Sequence, residues 1–155
     1  MKICFFIGHH DAPDTVISLL DESLEHHITE FGVSQFLVGH YGAFDRMAAA
    51  SVIRAKRKHP DIRLLLLLPY HPAERLVELD AGFDASFYPE GMENTPRHYA
   101  IVRANEYVIR HVCDYLIAYG KYQATKTDDF IKIAKVRERK GFLHIDNLAE
   151  RVNPM

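Results

Sequence analysis

Three apolar runs in this chain each end in a segment that carries histidine: Gly8-His9-His10-Asp11, Gly39-His40-Tyr41-Gly42 and Pro69-Tyr70-His71. An imidazole can hydrogen-bond an anion, ligate zinc or move a proton near neutral pH. The spacing is not that of a metal site. No pair has the i, i+4 or C-x-x-C arrangement that fixes ligand geometry locally, and the adjacent His9 and His10 diverge. No metal and no cofactor are therefore expected. Gly8, Gly39 and Gly42 let the backbone come close to a ligand, and bare amides at Gly8 and at Gly42-Ala43 would favour an anion at a helix start. The same glycines would equally serve a plain strand-to-helix turn. Neither G-x-G-x-x-G nor G-x-x-x-x-G-K occurs, so the usual dinucleotide and P-loop fingerprints are absent. A second segment, "ENTPRHYAIVRANEYVI", places Arg97 near a helix start, with Arg103 and Asn105 further along. Six residues apart, the two arginines share no helix face. One could reach a ligand while the other pairs with an acid, or both could be surface residues of an amphipathic helix.

The elements that must position these residues follow from hydrophobic period. Strands are expected at 2–7, 34–38, 62–68, 114–119 and 142–146. The first does not alternate, as in a strand buried on both faces. Helices are expected at about 13–31, with Ile17, Leu20, Leu24 and Ile28 on one face, then at 43–58, 72–80, 96–112 and 128–140. Gly32 is a stop signal after the first helix, and Thr95-Pro96 reads as a cap with an N1 proline. Residues 89–94 read as loop and 147–155 as a tail or short helix. Such alternation predicts an α/β, three-layer Rossmann-like domain, with a mostly parallel sheet and helices on both faces. In that architecture the ligand site lies beyond the carboxyl ends of the strands.

The bulk numbers agree with one domain over 1–155. The chain is 48% hydrophobic and 26% charged, which suits a globular core rather than disorder. A net charge of −2 argues against a nucleic-acid partner. The basic run Arg54, Lys56, Arg57, Lys58 and His59 falls at a helix end, where cations complement the dipole. Cys4 and Cys113 sit among apolar neighbours, as buried thiols of an intracellular protein do. The run Ile3–Ile7 is too short for a signal sequence and "LLLLLP" too short to span a bilayer, so a cytoplasmic location without a membrane partner is expected.

"FFIGHHD", "FLVGHYGAFDRMAAASVIRAKRKHPDIRLLLLLPY", "FYPEGMENTPRHYAIVRANEYVI" and "CDYLIAYG" resemble successive blocks of the SLOG (SMF/DprA-LOG) Rossmann-like superfamily. They are most similar to its small, stand-alone bacterial branch related to YpsA. The blocks follow the family's order over most of the chain. Where the family typically reads G-H-R this chain has Gly8-His9-His10, and G-x-x-G-x-F-D is matched by Gly39 to Asp45. Y-P-E-G-x-E-x-x-P-x-R is followed from Tyr88 to Pro96, with Arg97 one position ahead of the pattern's arginine, and R-x-N is matched by Arg103 to Asn105. The resemblance implies a pocket for a nucleotide or nucleotide-derived ligand, built from Gly8, His9, Gly39, Gly42, Phe44, Asp45, Arg97, Arg103 and Asn105. His40, Tyr70 and Glu90 join that list from the strand ends and the Y-P-E-G block. On this reading His9 and His40 hydrogen-bond the ligand, Asp45 holds a ribose hydroxyl or caps the helix, and an arginine neutralises phosphate.

Some relatives, the LOG phosphoribohydrolases, cleave nucleoside monophosphates between base and ribose phosphate. Their P-G-G-x-G-T signature and catalytic glutamate are missing here. After the fifth strand this chain reads "YGKYQATKTDDFIKIAKV", with Gly120 the sole glycine and Asp128-Asp129 at the helix start. Lys121 or Lys126 could offset those charges. Hydrolysis would need Glu90 or Glu93 as a substitute acid–base residue. A non-catalytic interaction protein is the further alternative. LOG-like relatives tend to dimerise, so a homo-oligomer is also an expectation.

Overall fold

The computed structural model describes residues 1–74 and 77–151. Six parallel strands form one sheet: β1 (Ile3–Gly8), β2 (Gln35–Val38), β3 (Arg63–Leu67), β4 (Ala85–Phe87), β5 (Tyr115–Tyr119) and β6 (His144–Asn147). Their order is β4-β3-β2-β1-β5-β6. Successive side chains of a strand face opposite ways, so β1 feeds two cores. Cys4 and Phe6 pack with α1 (Ile17–Thr29) and α2 (Ala43–Lys56). Phe5 and Ile7 pack with α3 (Ala100–His111) and α4 (Lys126–Arg139). The result is the three-layer Rossmann-like arrangement expected from the alternation. The two cysteines fall in different cores, and burial pushes the Cys113 thiol up to about 12.

Three expectations shift. β4 lies within a stretch that had no strand assigned. Its backbone register is extended by Asp84, whose carboxylate accepts the Leu64 N–H at 2.8 Å and Lys56 Nζ at 2.6 Å. In place of the helix expected at 72–80 there is a turn at 72–74 and irregular backbone at 77–80, while 75 and 76 lie outside the described residues. A helix that short is marginal unless it packs an apolar face, and Leu79 is 41% exposed. Regular helix α3 starts at Ala100, after a 3-10 turn at Arg97–Tyr99, rather than at Pro96. The tail forms a 3-10 turn at Leu148–Glu150, and 152–155 lie outside the described residues.

The basic run behaves as a helix end. Arg54 pairs with Asp21 at 2.7 Å, Lys56 with Asp84, and His59 with Glu25 at 3.0 Å. The face α1 buries is Leu20, Ser23, Leu24 and His27, so a histidine takes a core position between Phe31 and Tyr115. Its Nδ1 lies 2.7 Å from the Ser23 carbonyl oxygen, which only accepts, so Nδ1 carries the proton. Nε2 is buried with no hydrogen-bond partner among the described residues. Burial holds this imidazole below its ordinary pKa. A base depressed in this way stabilises the fold above pH 6.5, and loses that contribution as the pH falls toward its folded-state value. His27→Leu removes the orphan acceptor. It is expected to leave stability at pH 7.5 unchanged or raised by about 1 kcal/mol, and to flatten acid unfolding below pH 6.5 in urea melts.

Candidate functional site

Sheet order reverses between β1 and β5, because the chain steps outward from β1 to β4 and then crosses back to β5. Adjacent strand ends whose connections leave in opposite directions open a crevice there. A cavity of about 480 Å³ occupies it. The end of β1 and the loop after it contribute Gly8, His9, His10 and Asp11, the β2–α2 loop contributes Gly39 and Tyr41, and the first turn of α2 contributes Asp45. Leu67, Pro69, Ile101, Ala104 and Phe130 form an apolar wall, with Asn105 beside it. Thr125, Lys126 and Thr127, at the start of α4, complete the wall.

Of the residues singled out in the sequence, Gly8, His9, Gly39, Asp45 and Asn105 meet in this cavity. His40 lines a second cavity that shares Gly39 and Asp45 with the first. Tyr70 and Arg97 line a third hollow, with His71 and Glu93. There Arg97 lies 3.7 Å from Glu74 and over the Tyr70 ring, so it is the arginine that pairs with an acid. Arg103 and Glu90 are exposed and line none of these hollows. The histidines of the three strand ends do reach one edge of the sheet, but they are divided among three hollows.

Two expected ligand contacts serve the fold instead. Phe44 is fully buried, its ring pressed against the backbone of Gly8. Gly42, at φ +138°, stands against the His10 backbone, and the adjacent Ala43 N–H donates to the His10 carbonyl at 2.8 Å. The Ala43 amide, expected to be bare, is therefore engaged. This zipper between the two loops fixes the near side of the cavity.

His9 is 6% exposed and its Nε2 accepts the amides of Lys121 at 2.9 Å and Tyr122 at 3.3 Å. The ring thus braces the β5–α4 loop as well as forming cavity wall. Accepting at Nε2 requires that nitrogen to be unprotonated, and burial lowers the pKa in the same sense. The neutral form stabilises the fold above pH 6.5, and the contribution is lost as the pH falls below that. Amide exchange at Lys121 and Tyr122, corrected for intrinsic rates, should therefore accelerate relative to Leu116 and Ile117 between pH 7 and 5. An unchanged ratio would contradict this brace.

Asp45 occupies the third position of α2, and its Oδ2 accepts the Tyr41 N–H at 3.1 Å. Burial raises its pKa from 3.8 to about 6, against the smaller opposing effects of the Tyr41 amide and Arg46. It is a carboxyl poised near neutrality on a cavity wall.

The start of α4 was not among the residues first assigned to a site. Its signal was present as Thr125-x-x-Asp128, a capping-box pattern. Thr125 Oγ1 accepts the Asp128 N–H at 3.1 Å, and Asp128 reaches back to the Ala124 N–H at 3.1 Å. Asp128 also lies 3.1 Å from Lys132, the chief reason its pKa is lowered. This carboxylate is spent on its own helix and is not part of the cavity wall, while Lys126 is. Among the described residues no group of three or more histidine, cysteine or acidic side chains is placed to hold a metal ion, and no helix is long and apolar enough to cross a membrane. No family model matches the chain, and no curated protein matches it.

Proposed function

We propose that this chain binds a nucleotide or nucleotide-derived small molecule at the carboxyl edge of its sheet, as its resemblance to the SLOG superfamily implies. The observation that carries the reading is that one cavity is lined by a cation, by carboxylates and by an apolar surface. Lys126 and the first turn of α4 offer a cation and the positive end of a helix dipole, suited to a phosphate. Asp11 and Asp45 supply acceptors for sugar hydroxyls or base N–H groups, and Ile101, Ala104, Leu67 and Pro69 supply a flat apolar wall. A nucleotide presents an anionic phosphate, then sugar hydroxyls, then a flat ring, and the wall offers a partner for each.

Binding without catalysis is favoured over nucleoside-monophosphate hydrolysis. Glu90 is exposed and Glu93 lies in the third hollow, so neither candidate for the missing glutamate faces the cavity. Calorimetric titration with AMP and GMP at pH 7.5 tests the reading. Saturable binding is expected, weakened about tenfold in Lys126→Ala, close to the loss of one charge-assisted hydrogen bond. Saturation at a hundredfold excess over the dissociation constant should add about 2.7 kcal/mol to stability. Absence of heat and of thermal shift with every nucleotide at millimolar concentration would overturn it.

A further inference from the structure

A hollow of about 430 Å³ lies along α3 and α4 near their C-terminal ends, and it shares no residue with the crevice cavity. Arg110 and His111 line it from the last turn of α3, Lys132, Ile133, Val136 and Arg137 from α4, and Lys140 from just past the end of α4. Arg137 holds the two helices together here, its Nη1 donating to the Ile109 and Cys113 carbonyls at 2.7 and 2.8 Å. Among the described residues no carboxylate lines this hollow. Glu138 is engaged elsewhere, since its Oε2 accepts the Ile145 N–H at 2.9 Å. Arg110 and Lys132 pair with Glu106 and Asp128 of their own helices at 3.5 and 3.1 Å, but their side chains are 53% and 68% exposed and such pairs hold weakly. Residues 132–140 carry five cations against one acid, in a chain whose net charge is −2. Cations near a helix C-terminus complement its dipole, which is reason enough for Arg110 and Lys140. It does not explain the apolar strip among them, where Ile133 is only partly buried and Val136 is 44% exposed. An exposed apolar patch rimmed by charge marks a surface that meets a partner.

We infer that this groove binds an acidic amphipathic helix of a partner protein. Apolar side chains of that helix seat on Ile133 and Val136, and its carboxylates pair with Arg110, Lys132 and Lys140. A helix with apolar residues at i, i+3, i+4 and i+7 and acids beside them supplies both halves of this chemistry at once. The reach from 132 to 140 is about 12 Å along α4, room for roughly two turns of such a helix. Other polyanions match only half of the surface. A single-stranded nucleic acid stacks its bases on aromatic rings, and this wall has none beyond the His111 imidazole. An anionic bilayer takes up an apolar face that projects into it, whereas Ile133 and Val136 line a hollow.

Fluorescence anisotropy of the full chain with a labelled fourteen-residue peptide of glutamate and leucine, leucines at i, i+3, i+4 and i+7, provides the test. Saturable binding is expected, at least tenfold tighter than that of a scrambled peptide of the same composition, of polyglutamate or of a single-stranded oligonucleotide of equal charge. Added salt should weaken it severalfold, because the rim charges are exposed. Val136→Asp and the double variant Lys132→Glu/Lys140→Glu are each expected to cost tenfold or more. All three positions are exposed, so the variants should keep the native circular dichroism and urea midpoint. No saturable binding of the striped peptide, or binding that survives both variants, would overturn the inference. Equal or tighter binding of the oligonucleotide or of anionic vesicles would overturn it in favour of those partners. Self-association of the native chain that is lost in Val136→Asp would give the groove to a second copy and overturn it as well.

Discussion

Gly8→Ala should cost on the order of 3 kcal/mol of unfolding free energy, at the upper end of what overpacking a core does. A Cβ built at Gly8 would lie 2.2 Å from Phe44 Cγ and 2.4 and 2.7 Å from its two Cδ atoms. Phe44 is itself fully buried in the core between the sheet, α1 and α2, so its ring has nowhere to retreat. The strain would fall where β1 delivers His9 and His10 to the cavity, so ligand binding should weaken along with stability. Urea melts of Gly8→Ala, Phe44→Leu and the double variant check the mechanism. If the ring is the obstacle, Gly8→Ala costs much less in the Phe44→Leu background than in the native one, a coupling of 1 kcal/mol or more. Additive losses would show that Gly8 matters for another reason.

The second large effect has the opposite sign. Asp45→Asn is expected to stabilise the protein at pH 8 by about 2 to 3 kcal/mol, relative to the difference between the two proteins at pH 4. The folded-state pKa of Asp45 is raised from 3.8 to about 6. The folded protein therefore holds this proton more tightly than the unfolded chain, and stability falls as the pH rises from about 4 to 6. Asparagine, with no proton to lose, escapes that fall, and its side-chain oxygen can still accept the Tyr41 N–H. On the proposed reading the ionised carboxylate accepts from the ligand. Nucleotide affinity at pH 7.5 should accordingly drop about tenfold in the same variant, since hydrogen bonds to an ionised acceptor are the stronger ones. A variant equally stable at both pH values would refute the burial cost. One more stable but unimpaired in binding would remove Asp45 from the site.

The parts of the fold that could be read from sequence are those written as runs. The apolar strands at 3–8, 35–38 and 63–67 are long enough to declare themselves, and the stop at Gly32 and the acidic start at Asp128-Asp129 locate helix ends within a few positions. Ala85-Ser86-Phe87 was hidden because a three-residue edge strand has no period, and Asp84 holds it by a side-chain contact to a strand twenty residues away. The site divides in the same way. Gly8, His9 and Gly39 stand at strand ends that topology must bring together, so position suggested them, whereas Asp45 was implied by the family resemblance and Asn105 by that resemblance and the helix segment after Pro96. Phe44 carried no such signal. Whether an aromatic ring faces a ligand or the underside of a glycine 36 positions earlier is decided by three-dimensional packing. His9 was legible as a member of the edge but not as an acceptor for Lys121 and Tyr122, because that contact joins loops 112 residues apart. The place of Lys126 on the cavity wall was masked by the two aspartates after it, and only the capping geometry shows that Asp128 turns back onto its own helix.

Amide chemical-shift mapping during titration with AMP bears most directly on the claim that the crevice beside β1 and β5 is a nucleotide site. Saturable shifts are predicted at Gly8, Gly39, Tyr41, Lys126 and Thr127. Shifts absent at saturating nucleotide, or gathered instead around Arg110 and Lys140 near the C-terminal ends of α3 and α4, would contradict it.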